Sequence, residues 1–196
     1  QNNSREKLLQ GLISLEAPIS GILLDMRDNP GGVLTSAVSV ASLFMADTDV
    51  VQVKGRKDDS RVLSTQGAAI LKPLPVVVLQ NRYSASAAEV LASSLQAQKR
   101  ATIVGEVSYG KGSVQSVIPV NDEQAVKLTV ANYVTAAGNK IDGIGVEPDV
   151  ALLGNENTWE QQALDLLRAK ALASGIRFVR NSAVEDNTLE DQTDEK

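Results

Sequence analysis

Leu8, Leu9, Leu12 and Leu15 recur at helical spacing, which predicts a helix over about residues 5–15 with Ser4 as its cap. After Pro18 the spacing changes. The run Ile19 to Met26 reads as a strand buried on both faces, stopped by the turn signal Asn29-Pro30-Gly31-Gly32. Residues 33–45 return to a helical pattern, with Val33, Val38, Val40, Ala41, Leu43 and Phe44 as its apolar surface. Val50 to Lys54 predicts a strand, Gly55 to Gln66 a polar, charged excursion, and Pro73 to Gln80 a strand whose Val76-Val77-Val78-Leu79 centre is buried. A helix from about Ala85 to Gln98 follows, then a short strand from Ala101 to Val104.

Beyond Lys111 the pattern is mostly β: Ser113 to Val120, Ala125 to Thr135, and a stretch from Ile141 to Val150 broken by glycines and Pro148. A last amphipathic helix spans about Thr158 to Ala173, with Trp159, Ala163, Leu166 and Leu167 near one face. Strands alternate with helices in the first half and cluster in the second, which predicts a mixed, layered α/β domain. Residues 1–180 are expected to form one core and residues 181–196 a tail, acidic from Glu185 onward and too polar to fold. The chain contains no internal repeat.

Composition narrows the classes. Hydrophobic residues at 43% and charged residues at 22% describe a globular chain. No apolar run approaches the roughly 20 residues of a spanning helix. A net charge of −5 provides no basic footprint for nucleic acid, and aromatics at 3% provide no stacking platform for bases. The opening Gln1-Asn2-Asn3-Ser4 has neither an initiator methionine nor a signal stretch, so the chain is expected to be a fragment or mature portion.

The chain has no histidine and no cysteine. Any nucleophilic catalysis must therefore pair a hydroxyl with another base, and lysine is the recognised variant. Ser86, in Tyr83-Ser84-Ala85-Ser86-Ala87-Ala88-Glu89, is expected in the first turn of its helix, where unpaired N–H groups favour developing negative charge. The Ala87 N–H could donate to an oxyanion, with a second donor from the Pro30-Gly31-Gly32 turn. If the chain is extended from Gly112, Lys111, Ser113 and Gln115 share a face, and Gln115 could hold the lysine amine by a hydrogen bond. Taken singly, Ser86 reads as a helix-start residue, the Asn-Pro-Gly-Gly run as a tight turn and Lys111 as a surface lysine.

The combination resembles a known family, the carboxy-terminal processing or tail-specific serine peptidases. Leu24-Asp25-Met26-Arg27-Asp28-Asn29-Pro30-Gly31-Gly32 is similar to that family's strand and turn, and Ser84-Ala85-Ser86-Ala87-Ala88-Glu89 to its nucleophile segment. Gly110-Lys111-Gly112-Ser113-Val114-Gln115 is similar to its lysine segment, and Gly143-Ile144-Gly145-Val146-Glu147-Pro148-Asp149 to its closing signature. The resemblance implies Ser86 as nucleophile, Lys111 as general base, Gln115 as its orienting partner, and Gly32 and Ala87 as oxyanion donors. Ser84 is the competing nucleophile and Gly31 the competing donor.

By the same resemblance, the fold is the layered β/α spiral of the Clp protease and crotonase groups, and no metal or organic cofactor is expected. Partners are protein or peptide substrates with extended, apolar C-termini bound beside a strand edge, with no nucleic acid. Membrane-associated substrates, an adaptor protein and a homo-oligomer remain open. The implied location is periplasmic or otherwise exported in a bacterium.

Two departures stand out. Some members carry an acidic residue on the nucleophile helix near Ala97, which Leu95-Gln96-Ala97-Gln98 lacks, so no catalytic carboxylate is expected. Nothing here resembles the PDZ domain that usually precedes the core. Two other readings compete with a peptidase: a non-catalytic protease-like scaffold, and a phosphate loop in Gly105-Glu106-Val107-Ser108-Tyr109-Gly110-Lys111. The latter match ends at Gly112, which has no hydroxyl for Mg²⁺.

Overall fold

The computed structural model describes residues 3–55, 59–121 and 123–176. The predicted acidic tail lies outside them. In chain order the elements are α1 (Ser4–Ile13), β1 (Ile22–Asp25), α2 (Leu34–Phe44), β2 (Asp49–Lys54), β3 (Ser60–Ser64), β4 (Val76–Gln80), α3 (Ala87–Ala97), β5 (Thr102–Gly105), β6 (Ser113–Pro119), β7 (Ala125–Thr135), β8 (Val150–Ala151) and α4 (Trp159–Ala173), with a 3₁₀ turn at Glu156–Thr158 before α4.

The strands form two four-stranded sheets. One is parallel, in the order β1-β4-β5-β8; the other is antiparallel, in the order β3-β2-β7-β6. Alternation along β4 sorts its side chains between two cores. Val76 and Val78 join the α2 and α3 residues and the inner face of the antiparallel sheet, whereas Val77 and Leu79 meet Trp159, Ala163 and Leu167 of α4. The layers therefore run α4, parallel sheet, α2 with α3, antiparallel sheet. Burial on both faces explains why β4 is a continuous apolar run.

α3 is sealed on every side, with each residue from Ala87 to Leu95 buried. Its small Ala and Ser residues allow close packing by both sheets, and the Ser93 and Ser94 hydroxyls bond back to the Val90 and Leu91 carbonyls, so neither is left unsatisfied. This sealing fixes the amino end of α3, where Ser86 sits.

Several sequence expectations need correction. The α1 cap is Asn3 rather than Ser4. The polar excursion after β2 contains a strand, β3, because an edge strand paired to β2 needs no apolar face of its own. The Ile141 to Val150 stretch is mostly turn and contributes only the two-residue β8, since its glycines adopt positive φ. Among the described residues no helix is long and apolar enough to cross a membrane.

Arg100, just after α3, ties the helical layer together. Its guanidinium donates to the carbonyls of Phe44, Leu71 and Leu74 at 2.7–3.0 Å and lies 5.6 Å from the Phe44 ring centroid. Burial lowers its pKa from the usual arginine value. We predict that Arg100→Ala destabilises the chain by about 2–3 kcal/mol, because three carbonyls lose a charged donor. Differential scanning calorimetry should show the melting temperature falling by roughly 5–10 °C. An unchanged melting temperature would refute the role.

Candidate active site

β4 leads into a loop over residues 81–86 that delivers Ser86 to α3. Ser86 is the helix cap rather than a first-turn residue, with φ 57° and ψ −120°. A non-glycine residue in that region costs about 1–3 kcal/mol and persists only where its surroundings hold it. Here the Ser86 N–H donates to Glu89 Oε2 at 2.8 Å, and the Ser86 carbonyl accepts from the Val90 N–H at 3.0 Å.

Ser84 is occupied differently. It is 2% exposed, its Oγ donates to the Met26 carbonyl at 2.7 Å and accepts from the Asn81 N–H at 3.0 Å. Its hydroxyl is committed to holding the loop. Ser86 is half-buried and has no such pair of bonds.

Glu89 joins the two candidate loops. It is 0% exposed. Oε1 accepts from the Ser108 hydroxyl and the Gly110 N–H, both at 2.6 Å; Oε2 accepts from the Ser86 and Lys111 N–H groups, both at 2.8 Å. Four donors on two oxygens are the complement of a carboxylate. Glu89 thus holds the backbone of Ser86 and that of Lys111 on one group. The signal for it in the sequence is the Ser-x-x-Glu capping spacing from Ser86 to Glu89.

Two further contacts join the loops: the Tyr109 N–H donates to the Ser84 carbonyl at 2.9 Å, and Arg82 forks onto Glu106 at 2.9–3.0 Å. The Arg82 hydrogen bonds hold the Glu106 carboxyl below the usual range. The Gly143–Asp149 segment supports the lysine loop from behind, with the Val146 N–H on Ser108 Oγ at 2.7 Å and the Gly143 N–H on the Gly110 carbonyl at 2.9 Å. Gly110 has φ 86°, and a Cβ there would lie 3.0 Å from the Gly145 nitrogen, so the close approach requires glycine.

The Asn29-Pro30-Gly31-Gly32 turn lies against the nucleophile loop. A Cβ on Gly31 would stand 2.5 Å from the Ala85 carbonyl and 2.8 Å from the Ala87 nitrogen. The Gly31 N–H is already used by Asn29 Oδ1 at 2.9 Å. Among the described hydrogen bonds, the Gly32 and Ala87 N–H groups donate to no acceptor, and both residues line one pocket.

That pocket, of about 170 Å³, lies between β1, α2 and α3 and is walled by Leu24, Met26, Ala37, Val40, Ala88 and Leu91. A larger cleft of about 780 Å³, between α1, α2 and β3, includes none of the residues of either loop. Among the described residues no three or more Asp, Glu, His or Cys side chains gather to hold a metal ion.

The lysine side is more open. Lys111 and Gln115 are exposed, and no described hydrogen bond joins the Lys111 amine to Ser86 Oγ. Lys111 precedes β6, which begins at Ser113 and forms a free edge of the antiparallel sheet. The element directly after Lys111 is the strand β6, not the helix that a phosphate loop would require. The loop amides that would cradle a phosphate are turned onto the protein's own Glu89.

Residues 1–152 match the family model described as peptidase family S41. The chain is 42% identical over 135 residues to the carboxy-terminal-processing protease of Bartonella bacilliformis, covering 68% of this chain and 31% of that protein. It is 36% identical over 153 residues to the carboxy-terminal processing protease CtpB of Bacillus subtilis, covering 76% and 32% respectively. Among solved structures it is similar to a photosystem II D1 C-terminal processing protease, with a TM-score of 0.64 and 40% identity over 76% of this chain and 36% of that one. Mature CPAF complexed with lactacystin, at 16% identity and a TM-score of 0.66, shares the fold. The layered architecture is the Clp and crotonase-like one. The chain spans about a third of the length of the curated relatives it matches. A family match over most of the chain means that this chain belongs to peptidase family S41.

Proposed function

We propose that this chain is the core of a serine endopeptidase that cuts protein substrates at or near their C-terminus through a Ser86/Lys111 dyad. The observation that carries the reading is the Glu89 carboxyl, which holds the backbones of Ser86 and Lys111 together beside the Gly31-Gly32 turn. Lys111 takes the proton of Ser86 Oγ as that oxygen attacks the peptide carbonyl. The tetrahedral oxyanion accepts from the Gly32 and Ala87 N–H groups, aided by the positive end of α3. Collapse expels the amine as the proton passes back to it, and water hydrolyses the acyl-enzyme by the same route. Gln115 orients the amine.

The exposure of Lys111 bears on this chemistry. Chemistry of this kind is favoured where water is excluded from around the reacting groups. The free edge of β6 leads away from Lys111, so a substrate tail added to that edge as a strand would cover the lysine as it binds. The apolar pocket below Gly32 and Ala87 fits a small apolar side chain at the residue preceding the cut. These two features support a reading in which the substrates are proteins with extended apolar C-termini. The bacterial and chloroplast processing proteases among the relatives support an exported location such as the periplasm.

The test is mass spectrometry of an unstructured, apolar-tailed polypeptide incubated with the chain or with Ser86→Ala. Cleavage by the former alone is expected; cleavage by neither would reject the peptidase reading in favour of a scaffold. Ser86→Ala and Lys111→Ala should each lower turnover by roughly three orders of magnitude or more, without loss of fold by circular dichroism. Gln115→Ala should cost about tenfold, as for a group acting through another.

Glu89→Gln replaces one acceptor oxygen by a donor amide facing N–H groups, which should destabilise the chain by roughly 2–4 kcal/mol and depress turnover. Unchanged melting and unchanged turnover would defeat the role given to Glu89. Ala37→Leu should fill the pocket and shift cleavage toward glycine or alanine before the cut, which peptide-library digestion would reveal.

A further inference from the structure

Asn81, the residue after β4, is 1% exposed and touches neither Ser86 nor Lys111 by hydrogen bond. Its amide is nonetheless used completely. Oδ1 accepts from the Asp28 N–H at 3.0 Å and the Tyr83 N–H at 3.1 Å. Nδ2 donates to Asp28 Oδ1 at 3.0 Å and to Glu156 Oε1 at 2.8 Å. Only one orientation of the amide satisfies this set, because the flipped form would put its NH₂ against two N–H groups and its oxygen against two carboxyls.

The partner that matters is Asp28. Its φ is 55°, a left-handed conformation that Asp and Asn tolerate better than most residues but still adopt at a cost. Asn81 grips Asp28 at both its backbone N–H and its side chain. This bend sends the chain from the end of β1 back over the nucleophile loop: the Asn29 carbonyl then accepts from the Ala85 N–H at 2.9 Å, and Asn29 Oδ1 takes the Gly31 N–H at 2.9 Å. Gly32 is the next residue after that anchored pair. Meanwhile the Asn81 backbone N–H bonds Ser84 Oγ, and the Ser84 N–H bonds the Asn81 carbonyl at 3.0 Å. One buried amide thus sets the oxyanion turn and the nucleophile loop in mutual register, and ties both to the Glu156 turn before α4.

We propose that Asn81 is a positioning residue for oxyanion stabilisation, acting by locking Asp28 in its left-handed conformation so that the Gly32 N–H faces the site above Ser86. The inference rests on the peptidase reading. Its effect falls on the transition state, where charge develops on the carbonyl oxygen, and not on ground-state substrate binding.

The experiment measures kcat and KM of the full chain, with an apolar-tailed polypeptide as substrate, for Asn81→Asp, Asp28→Ala and Asp28→Asn. Asn81→Asp keeps the acceptor oxygen but turns the two donor contacts into repulsions with Asp28 and Glu156. Asp28 is exposed, so its variants test the idea even if Asn81→Asp does not fold.

The expected result is a fall in kcat of roughly a hundredfold for Asn81→Asp and Asp28→Ala at nearly constant KM, the scale of one lost oxyanion donor. Asp28→Asn should recover most of the loss, since asparagine tolerates the same φ and offers the same acceptor. Normal kcat in Asp28→Ala, or a loss in Asp28→Asn as large as in Asp28→Ala, overturns the inference while leaving the peptidase reading intact. No cleavage by the unaltered chain removes the peptidase reading, and this one with it.

Discussion

The structure depends on a buried carboxyl that accepts four hydrogen bonds. Glu89 lies inside a helix packed on all sides, where an uncompensated polar group is costly, and its compensation comes from two segments: the adjacent Ser86 turn and the distant Ser108–Lys111 loop. Those donors can reach the carboxyl only if Ser86 takes its positive φ and the Gly105–Lys111 loop folds inward. The need to satisfy one buried group therefore supports a local strain of the kind active sites store. The same principle by which a glycine-rich loop cradles a phosphate operates here, with the anion supplied by the protein itself.

Layering determines where this interaction can form. α3 lies between two sheets, so its amino end cannot shift without disturbing both cores. β1, β4 and β5 are parallel and end on the same side, which brings together the turn after β1, the loop after β4 and the loop after β5. In open parallel sheets this is the side where sites are built. Asn81 joins the first two loops and Glu89 joins the last two, so the two networks meet at the residues just before Ser86.

The two halves of the site differ in exposure. On one side, the Gly31-Gly32 turn packs against Ser86 and Ala87 over an open, largely apolar pocket. On the lysine side, the backbone is anchored while the side chain remains in solvent. Anchoring the backbone limits where the amine can reach, and leaves its hydration to be set by whatever lies along the β6 edge.

Residues that act through their own sequence neighbours were legible without coordinates. β4 was marked by four consecutive apolar residues, β7 from Ala125 to Thr135 by its polar and β-branched run, and α4 by Trp159, Ala163 and Leu167 on one face. The absence of histidine and cysteine, with Ser86 and Lys111 in their segments, restricted the chemistry available. Residues that act across the fold were not legible. Glu89 and Asn81 drew no assignment from the sequence, and Ser84 competed with Ser86 as the nucleophile. β3 was hidden because its partner lies on another strand. The sequence by itself determined the apolar periodicities and the set of reactive groups, because those follow from composition and local spacing. The tertiary structure decided which polar groups are buried, and hence which must be paired, since burial is a property of the assembled layers.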